Sequence, residues 1–353
     1  MPPMQQSAAD GCKGAGPCCK FRHNDHCDAM CRKNKQDREN QMTKIAIVGA
    51  GLIGRAWATV FSSHGFEVAL HDQTADIAQM AKSHIKTNLK QLADLGLISH
   101  PKEALDRIRV ADDLADALKG AALAQESGPE NLEAKKKLFA EMDELAKPNA
   151  ILASSTSFIE ASRFSKKLKG RHRCLVGHPV NPPHLVPIVE IAPAEWTDAE
   201  SVEKARKIYE KAGQVPIILR KESPGFILNR LQAVLLAEAF RLVGAGVASP
   251  QDVDKTIRDG LGLRWSFMGP FETIELNAPG GIADYCARYG ESLTEMVAES
   301  GSGKPFGKKN VQKVMDEWTG AQTPERVAAL SQWRDGRLAS LKAHKKAAKR
   351  KPA

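Results

Sequence analysis

At 353 residues, 42% hydrophobic and 26% charged, the chain has material for two cored domains, and no apolar run approaches a membrane span. The formal net charge of +9 gathers at the C-terminal end: Lys342, Lys345, Lys346, Lys349, Arg350 and Lys351 supply six of it with no acid between them. With no aromatic residues interleaved, residues 342–353 read as a solvated basic tail, and a nucleic-acid partner is not expected. The N-terminus lacks the apolar segment of a secretion signal, so the expected location is the cytoplasm.

Five of the seven cysteines (Cys12, Cys18, Cys19, Cys27, Cys31) lie in the first 31 residues beside His23 and His26. Their spacing matches no common zinc finger or ribbon, and the segment has few large apolar residues. Residues 1–41 are therefore read as a disordered Cys-rich extension, or an upstream start ahead of Met42, and no metal site is expected. Cys174 and Cys286 read as reduced thiols.

A buried strand beginning at Lys44 runs into Gly49-x-Gly51-x-x-Gly54, and a helical pattern follows from Leu52 to His64. That order suits a dinucleotide: the first glycine turns the chain, the second admits the pyrophosphate, and the third lets the helix pack closely. Free N–H groups at the helix start face the phosphate charge. A second strand, Glu67 to Asp72, ends in an acid 18 residues after Gly54. A carboxylate there suits the adenosine ribose and repels a 2′-phosphate. With no Arg or Lys adjacent, NAD is expected rather than NADP. Asp72 also serves as a cap for the helix that runs from Ala75 to Gly96.

Asp112 and Asp113 are placed to cap a short helix ahead of a strand at Ala122–Glu126. A helix follows over Glu130–Ala146, with Leu132, Leu138, Met142 and Leu145 at helical spacing. Strands are then expected at Ile151–Ser154, Arg173–His178 and Leu185–Ile191. This alternation predicts an α/β fold, a Rossmann-type doubly wound, mainly parallel sheet. From Ser223 the pattern turns helical: a long helix from Gly225 to about Val243, then one started by Ser249-Pro250. The expected organisation is an NAD-binding domain at 42–222, a smaller all-helical substrate and dimerisation domain at 223–341, and the tail.

Oxidising an alcohol needs a group to take the hydroxyl proton, and histidine is the usual one. His178 stands at a strand end among prolines, and Glu190 follows twelve residues later inside an apolar strand. A hairpin-like return brings the carboxylate to the second imidazole nitrogen; otherwise both are structural. Ser154-Ser-Thr-Ser157 lies at a carboxyl sheet edge, either bonding substrate or satisfying a turn and capping a helix at Ile159. Asn229, in an apolar helix, is either a packed amide or a substrate donor.

Taken together, these segments resemble the 3-hydroxyacyl-CoA dehydrogenase superfamily over most of Lys44 to about Tyr289. The resemblance is carried by the glycine motif, Asp72-Gln-Thr, Glu126-x-x-x-Glu130-Asn131, Ser154-Ser-Thr-Ser157, His178-Pro-Val-Asn-Pro, Glu190, Ser223-Pro-Gly-Phe-Ile-Leu-Asn229-Arg-Leu and Met268-Gly-Pro-Phe271. Val-Asn-Pro-Pro183 and Gly262-Leu-Arg-Trp-Ser-Phe-Met-Gly-Pro270 are most similar to the lambda-crystallin or L-gulonate 3-dehydrogenase branch. The resemblance implies an NAD-dependent oxidoreductase with His178 as general base, Glu190 orienting it, and Ser157 and Asn229 on the substrate oxygens. Gly49, Gly51, Leu52, Ile53, Gly54, Asp72, Glu126 and Glu130 would form the cofactor site, and the helical domain a homodimer. Arg264 belongs to a stretch added relative to acyl-CoA members, and either pairs with a free substrate carboxylate or is a surface residue. The expected substrate is an L-gulonate-like L-3-hydroxy acid. A short acyl-CoA such as 3-hydroxybutyryl-CoA, within fatty-acid metabolism, is the alternative, and a crystallin-like structural protein is a third reading.

Overall fold

The computed structural model describes residues 42–300, 303–318 and 323–348; the Cys-rich segment 1–41, and Lys349, Arg350 and Lys351 of the tail, lie outside them. Chain-wide contacts divide the protein at Thr43, and everything from Lys44 onward forms one unit.

That unit begins with β1 (Lys44–Val48), α1 (Leu52–Ser63), β2 (Glu67–His71) and α2 (Ala75–Asp94). Next come α3 (Pro101–Asp106), β3 (Ile108–Val110), α4 (Leu114–Leu118), β4 (Leu123–Glu126), α5 (Leu132–Leu145) and β5 (Ile151–Ser154). The sheet is completed by α6 (Ala161–Ser165), β6 (Cys174–Pro179), β7 (Ile188–Pro193), α7 (Ala199–Lys211) and β8 (Val215–Ile218). Strand order is β3-β2-β1-β4-β5-β6-β7-β8. All neighbours pair parallel except β6 and β7. The strand order reverses between β1 and β4, the place where such sheets open a crevice at their carboxyl edge.

Both sheet faces are covered, so the strands read as continuous apolar runs. Ile45 and Ile47 face a cluster with Trp57, Phe61, Ile85, Leu89 and Tyr209. Ala46 and Val48 face the other layer, with Leu114, Leu118, Phe139, Met142 and Phe164. The alternation follows the two-residue repeat of a strand. Caps sit where polar residues precede apolar runs: Asp113, Asn131, Asp198 and Ser249 each accept a backbone N–H three residues on.

Beyond β8 every described element is helical: α8 (Leu228–Ala245), α9 (Pro250–Lys255), a π-turn over Thr256–Leu261, α10 (Gly262–Trp265), α11 (Pro270–Glu275), α12 (Gly281–Ser300), α13 (Lys308–Glu317) and α14 (Pro324–Ala347). None of the described helices is long and apolar enough to cross a membrane.

Several boundaries differ from expectation. The helix expected from Gly225 starts three residues later, because Gly225 (φ 76°) and Phe226 (φ 54°) are both left-handed. The strand expected at Leu185 begins at Ile188. Strands β3 and β8, of three and four residues, are too short to carry a periodic signal. The basic end is not simply solvated either. Lys342 lies on α14, half-buried, and its Nζ donates to the His184 carbonyl at 2.8 Å.

Candidate active site

The glycine turn lies at the carboxyl end of β1, and its geometry explains each glycine. Gly49 has φ 101°, and a Cβ there would meet the Ser127 carbonyl oxygen at 2.7 Å. A Cβ on Gly54 would drive into the Gly49 carbonyl, whereas Gly51 opens onto free space. Helix α1 starts at Leu52 with no side-chain cap, and the first N–H groups of a helix have no carbonyl four residues back. Leu52 and Ile53 therefore offer their backbones at the mouth. Their side chains differ: Leu52 is exposed, while Ile53 packs on the core.

A cleft of about 580 Å³ runs past this turn, lined by Gly49, Gly51, His71, Asp72, Ile77, Ser127, Pro129 and Leu138 among others. Asp72 holds the turn itself: Oδ2 accepts the Ala50 N–H at 2.8 Å and Oδ1 the Thr74 N–H at 3.2 Å. The cap of α2 is Thr74, so the carboxylate serves the turn as well as the helix start. The cation lining the cleft is Lys135, which is already consumed. Its Nζ donates to both oxygens of Glu126 at 2.8 and 2.7 Å, and both side chains are 1% exposed. No described cation is thus free in the cleft lining to meet a 2′-phosphate. A backbone cradle without side chains, a carboxylate at the ribose position and an apolar flank fit NAD.

Glu126 lines this cleft and Glu130 follows it four residues on, and the fold gives each carboxylate internal partners. Besides Lys135, Glu126 accepts from Ser154 Oγ at 2.6 Å and from the Gly128 N–H at 2.7 Å. Glu130 Oε1 accepts from Thr156 Oγ1 (2.6 Å) and from the N–H groups of Ser157 (3.1 Å) and Phe158 (3.0 Å). The pair therefore shapes the turns after β4 and β5. In the second turn Thr156, rather than a serine, accepts the Ile159 N–H at 2.9 Å, and the helix itself begins only at Ala161.

His178 and Glu190 face each other directly across the antiparallel β6–β7 pair. His178 Nδ1 lies 2.8 Å from Glu190 Oε2, and both side chains are buried. The other carboxylate oxygen accepts the Ile227 and Leu228 N–H groups at 2.8 and 3.0 Å. The positive end of α8 thus points at Glu190. Burial pushes this carboxyl upward, but the imidazole and the two N–H groups outweigh it and hold it below the usual range. Phe226, 1% exposed, packs against the imidazole with ring centres 5.2 Å apart and the planes tilted by 43°. With Nδ1 engaged, Nε2 is the nitrogen left for a substrate proton.

Asn229, one residue into α8, donates from Nδ2 to the Ser157 carbonyl at 2.9 Å, tying the helix to the turn after β5. Its amide oxygen and the Ser157 hydroxyl have no hydrogen-bond partner among the described residues. Arg264 is exposed on α10, immediately after the π-turn, and no ion pair joins it to a described carboxylate. The structure brings Glu130, Ser157 and Asn229 into one bonded group and His178, Glu190 and Phe226 into another, both meeting α8. It does not bond Arg264 to either.

Sequence reasoning missed four contributors. Phe226 and buried Lys135 were not singled out, nor was the Ser127-Gly128 turn that walls the cleft. Gln125 also escaped notice: its amide nitrogen donates to Ser155 Oγ at 2.7 Å and to the Gly177 carbonyl at 3.2 Å, locking β4 to β6 one residue before His178. Lys135 left a signal, since it falls on the apolar face of α5 between Leu132 and Leu138.

Two family models match the chain: the 3-hydroxyacyl-CoA dehydrogenase NAD binding domain over residues 44–223 and the C-terminal domain over 225–317. With this coverage the chain belongs to the 3-hydroxyacyl-CoA dehydrogenase family, and it is an NAD-dependent dehydrogenase acting on a hydroxyl group. Among similar proteins, the lambda-crystallin homolog of Bos taurus is 42% identical over 307 residues, covering 84% of this chain and 95% of that one. The L-carnitine dehydrogenase of Pseudomonas putida is 34% identical, covering 85% and 93%. Among solved structures, the 5-formyl-3-hydroxy-2-methylpyridine 4-carboxylic acid 5-dehydrogenase, an NAD+-dependent dismutase, superposes with a TM-score of 0.76 at 26% identity, covering 88% and 100%.

Proposed function

We propose that the enzyme oxidises the 3-hydroxyl of a small, L-gulonate-like L-3-hydroxy acid to the 3-oxo acid. The observation that carries this reading is the buried His178–Glu190 pair, with one imidazole nitrogen anchored and the other left for chemistry. NAD, when bound, accepts the hydride. His178 Nε2 takes the hydroxyl proton, while Glu190 fixes the tautomer and stabilises the imidazolium as it forms. Because Glu190 is itself held by the start of α8, the base cannot rotate away from a substrate held between sheet and helix. The Ser157 hydroxyl and the Asn229 amide bond the reacting substrate oxygens. The cofactor rests on Gly49, Gly51, Gly54, the Leu52 and Ile53 backbones and Asp72, with Glu126 and Glu130 supporting that wall from behind.

A free acid is favoured over a thioester by two observations. Arg264 is exposed without a carboxylate partner among the described residues, and two similar proteins are named for acids without coenzyme A, carnitine being itself a 3-hydroxy carboxylate. In this reading 42–222 is the cofactor domain, 223–341 the substrate and dimerisation domain, and the enzyme is a cytoplasmic homodimer. Exposed Leu231 and Val234 of α8 support a partner on the helical part.

NADH formation should be followed with L-gulonate and, separately, with L-3-hydroxybutyryl-CoA, with His178→Ala as control. Turnover of gulonate, lost in the control, is expected. Turnover of the thioester alone would return the enzyme to acyl-CoA chemistry.

A further inference from the structure

A second cavity, of about 190 Å³, lies away from the cofactor cleft, where α14 lies against the NAD-binding half. Its polar lining consists of Ser63, His64, His184, Gln214, Lys342 and Lys346, and no Asp or Glu lines it. His184 is 6% exposed, and neither ring nitrogen has a partner among the described residues. Gln214 is 5% exposed; its amide nitrogen reaches the Pro183 carbonyl at 3.4 Å, and its Oε1 has no partner. Buried polar atoms are rarely left this way, because each unmade bond costs free energy.

The charge around them has one sign. Lys342 spends one donor on the His184 carbonyl, and Lys346 reaches the Leu97 carbonyl at 3.5 Å. Neither lysine is ion-paired with a described carboxylate. The acid acting on His184 is Asp335, and it is held by Arg334 at 2.7 Å. The cavity lining thus holds two lysines beside His184 and Gln214, whose imidazole nitrogens and carboxamide oxygen are buried and in want of partners among the described residues.

We propose that this cavity binds hydrogen phosphate, with Lys342, Lys346 and the His184 ring on its oxygens and its own hydroxyl donated to Gln214 Oε1. A chloride ion supplies neither tetrahedral acceptors nor a donor. Sulfate supplies the acceptors but, fully ionised at neutral pH, no donor. The bound ion joins α14 to the loop before β7 and to the residue before β8, and so clamps the last helix onto the NAD-binding half.

The test uses the full chain saturated with NAD, so that the glycine turn cannot take phosphate. Thermal unfolding is measured in sodium phosphate, sulfate and chloride at equal pH and ionic strength. Phosphate should raise the midpoint saturably by on the order of 2–4 °C once well above its dissociation constant, and sulfate by less. Lys342→Met combined with Lys346→Met should abolish the saturable part, and Gln214→Leu should remove the preference for phosphate over sulfate. If Lys342→Met fails to fold, Lys346→Met, at an exposed position, carries the test by calorimetric titration with phosphate. Equal midpoints in all three salts, or a saturable shift that survives the lysine substitutions, would overturn the proposal.

Discussion

The two halves of this enzyme bury their apolar residues very differently. In the NAD-binding half Trp57, Phe61 and Tyr209 are sealed at 0% exposure beneath the sheet. In the helical half Leu231 and Val234, on its first helix α8, are 63% and 72% exposed, and Val243 is the one buried residue of α8. A doubly wound sheet supplies its own cover on both faces. On α8, residues 230–236 are all exposed, and half-buried or buried residues follow from 237 to 244. The lesson is that the first half is a self-sufficient scaffold, whereas the second is organised around contacts: with Glu190 at the start of α8 and with the loop at His184, while the exposed face of α8 is where the proposed dimer would form.

The largest effect that tests this contrast is on stability. Trp57 stacks on Phe61 with ring centres 5.4 Å apart and on Tyr209 at 5.5 Å. Trp57→Ala should cost about 3–5 kcal/mol in chemical denaturation, while Val234→Ala should cost under about 0.5 kcal/mol in a monomeric sample. Comparable losses would mean that the helical half is as well packed as the first.

Next comes the seam at α8. His178→Ala should lower kcat by roughly 10²–10⁴-fold with NAD affinity unchanged. Glu190→Gln should lower it less, yet also loosen α8, because the same carboxylate receives two of that helix's N–H groups. Hydrogen exchange at Ile227 and Leu228 reads the second effect. Protection unchanged in the variant would show the cap to be incidental.

A third test uses pH at the other seam. Burial, with Lys342 adding to it, holds His184 down to about 4, below its usual 6.5. The unfolded chain therefore binds the proton first. Stability is full above about pH 6.5 and falls as pH drops toward 4, by at most roughly 3 kcal/mol for this group. Glu190, also depressed in the folded state, adds a loss at still lower pH. Urea midpoints across this range, compared with those of His184→Gln, isolate the histidine. A variant with the same pH profile would remove His184 from the explanation.

The smallest effect on the isolated fold, yet the most direct on the contrast, is expected from Val234→Asp. It should change monomer stability by less than about 0.5 kcal/mol but shift the protein from dimer to monomer in sedimentation. A dimer that survives Val234→Asp together with Leu231→Asp would place the partner surface elsewhere.

The glycine turn, Asp72 and the alternation of strands and helices were legible in the chain because they are local. A buried strand, a turn without side chains and an amphipathic helix each leave a short-range pattern. The approach of Glu190 to His178 was legible only as a hairpin-like return, since a separation of twelve residues leaves strand register open and register alone sets them opposite each other. The partners of Glu126 and Glu130 were not legible, because a carboxylate in a motif carries no mark of which cation or N–H group folding will bring to it. Lys135 and the turn at 156–158 come to them from separate elements.

By itself, then, the sequence determined the class of fold, the cofactor, the family and the residue types available for proton transfer, all of which depend on neighbours within one or two elements. Tertiary structure alone decided that Glu190 is held by the first turn of α8, that Phe226 in a left-handed conformation packs against the imidazole, and that Lys342 leaves the basic end to meet His184. Each of these joins groups from 37 to 158 residues apart, and at such separations only the packing of whole layers settles which atoms meet.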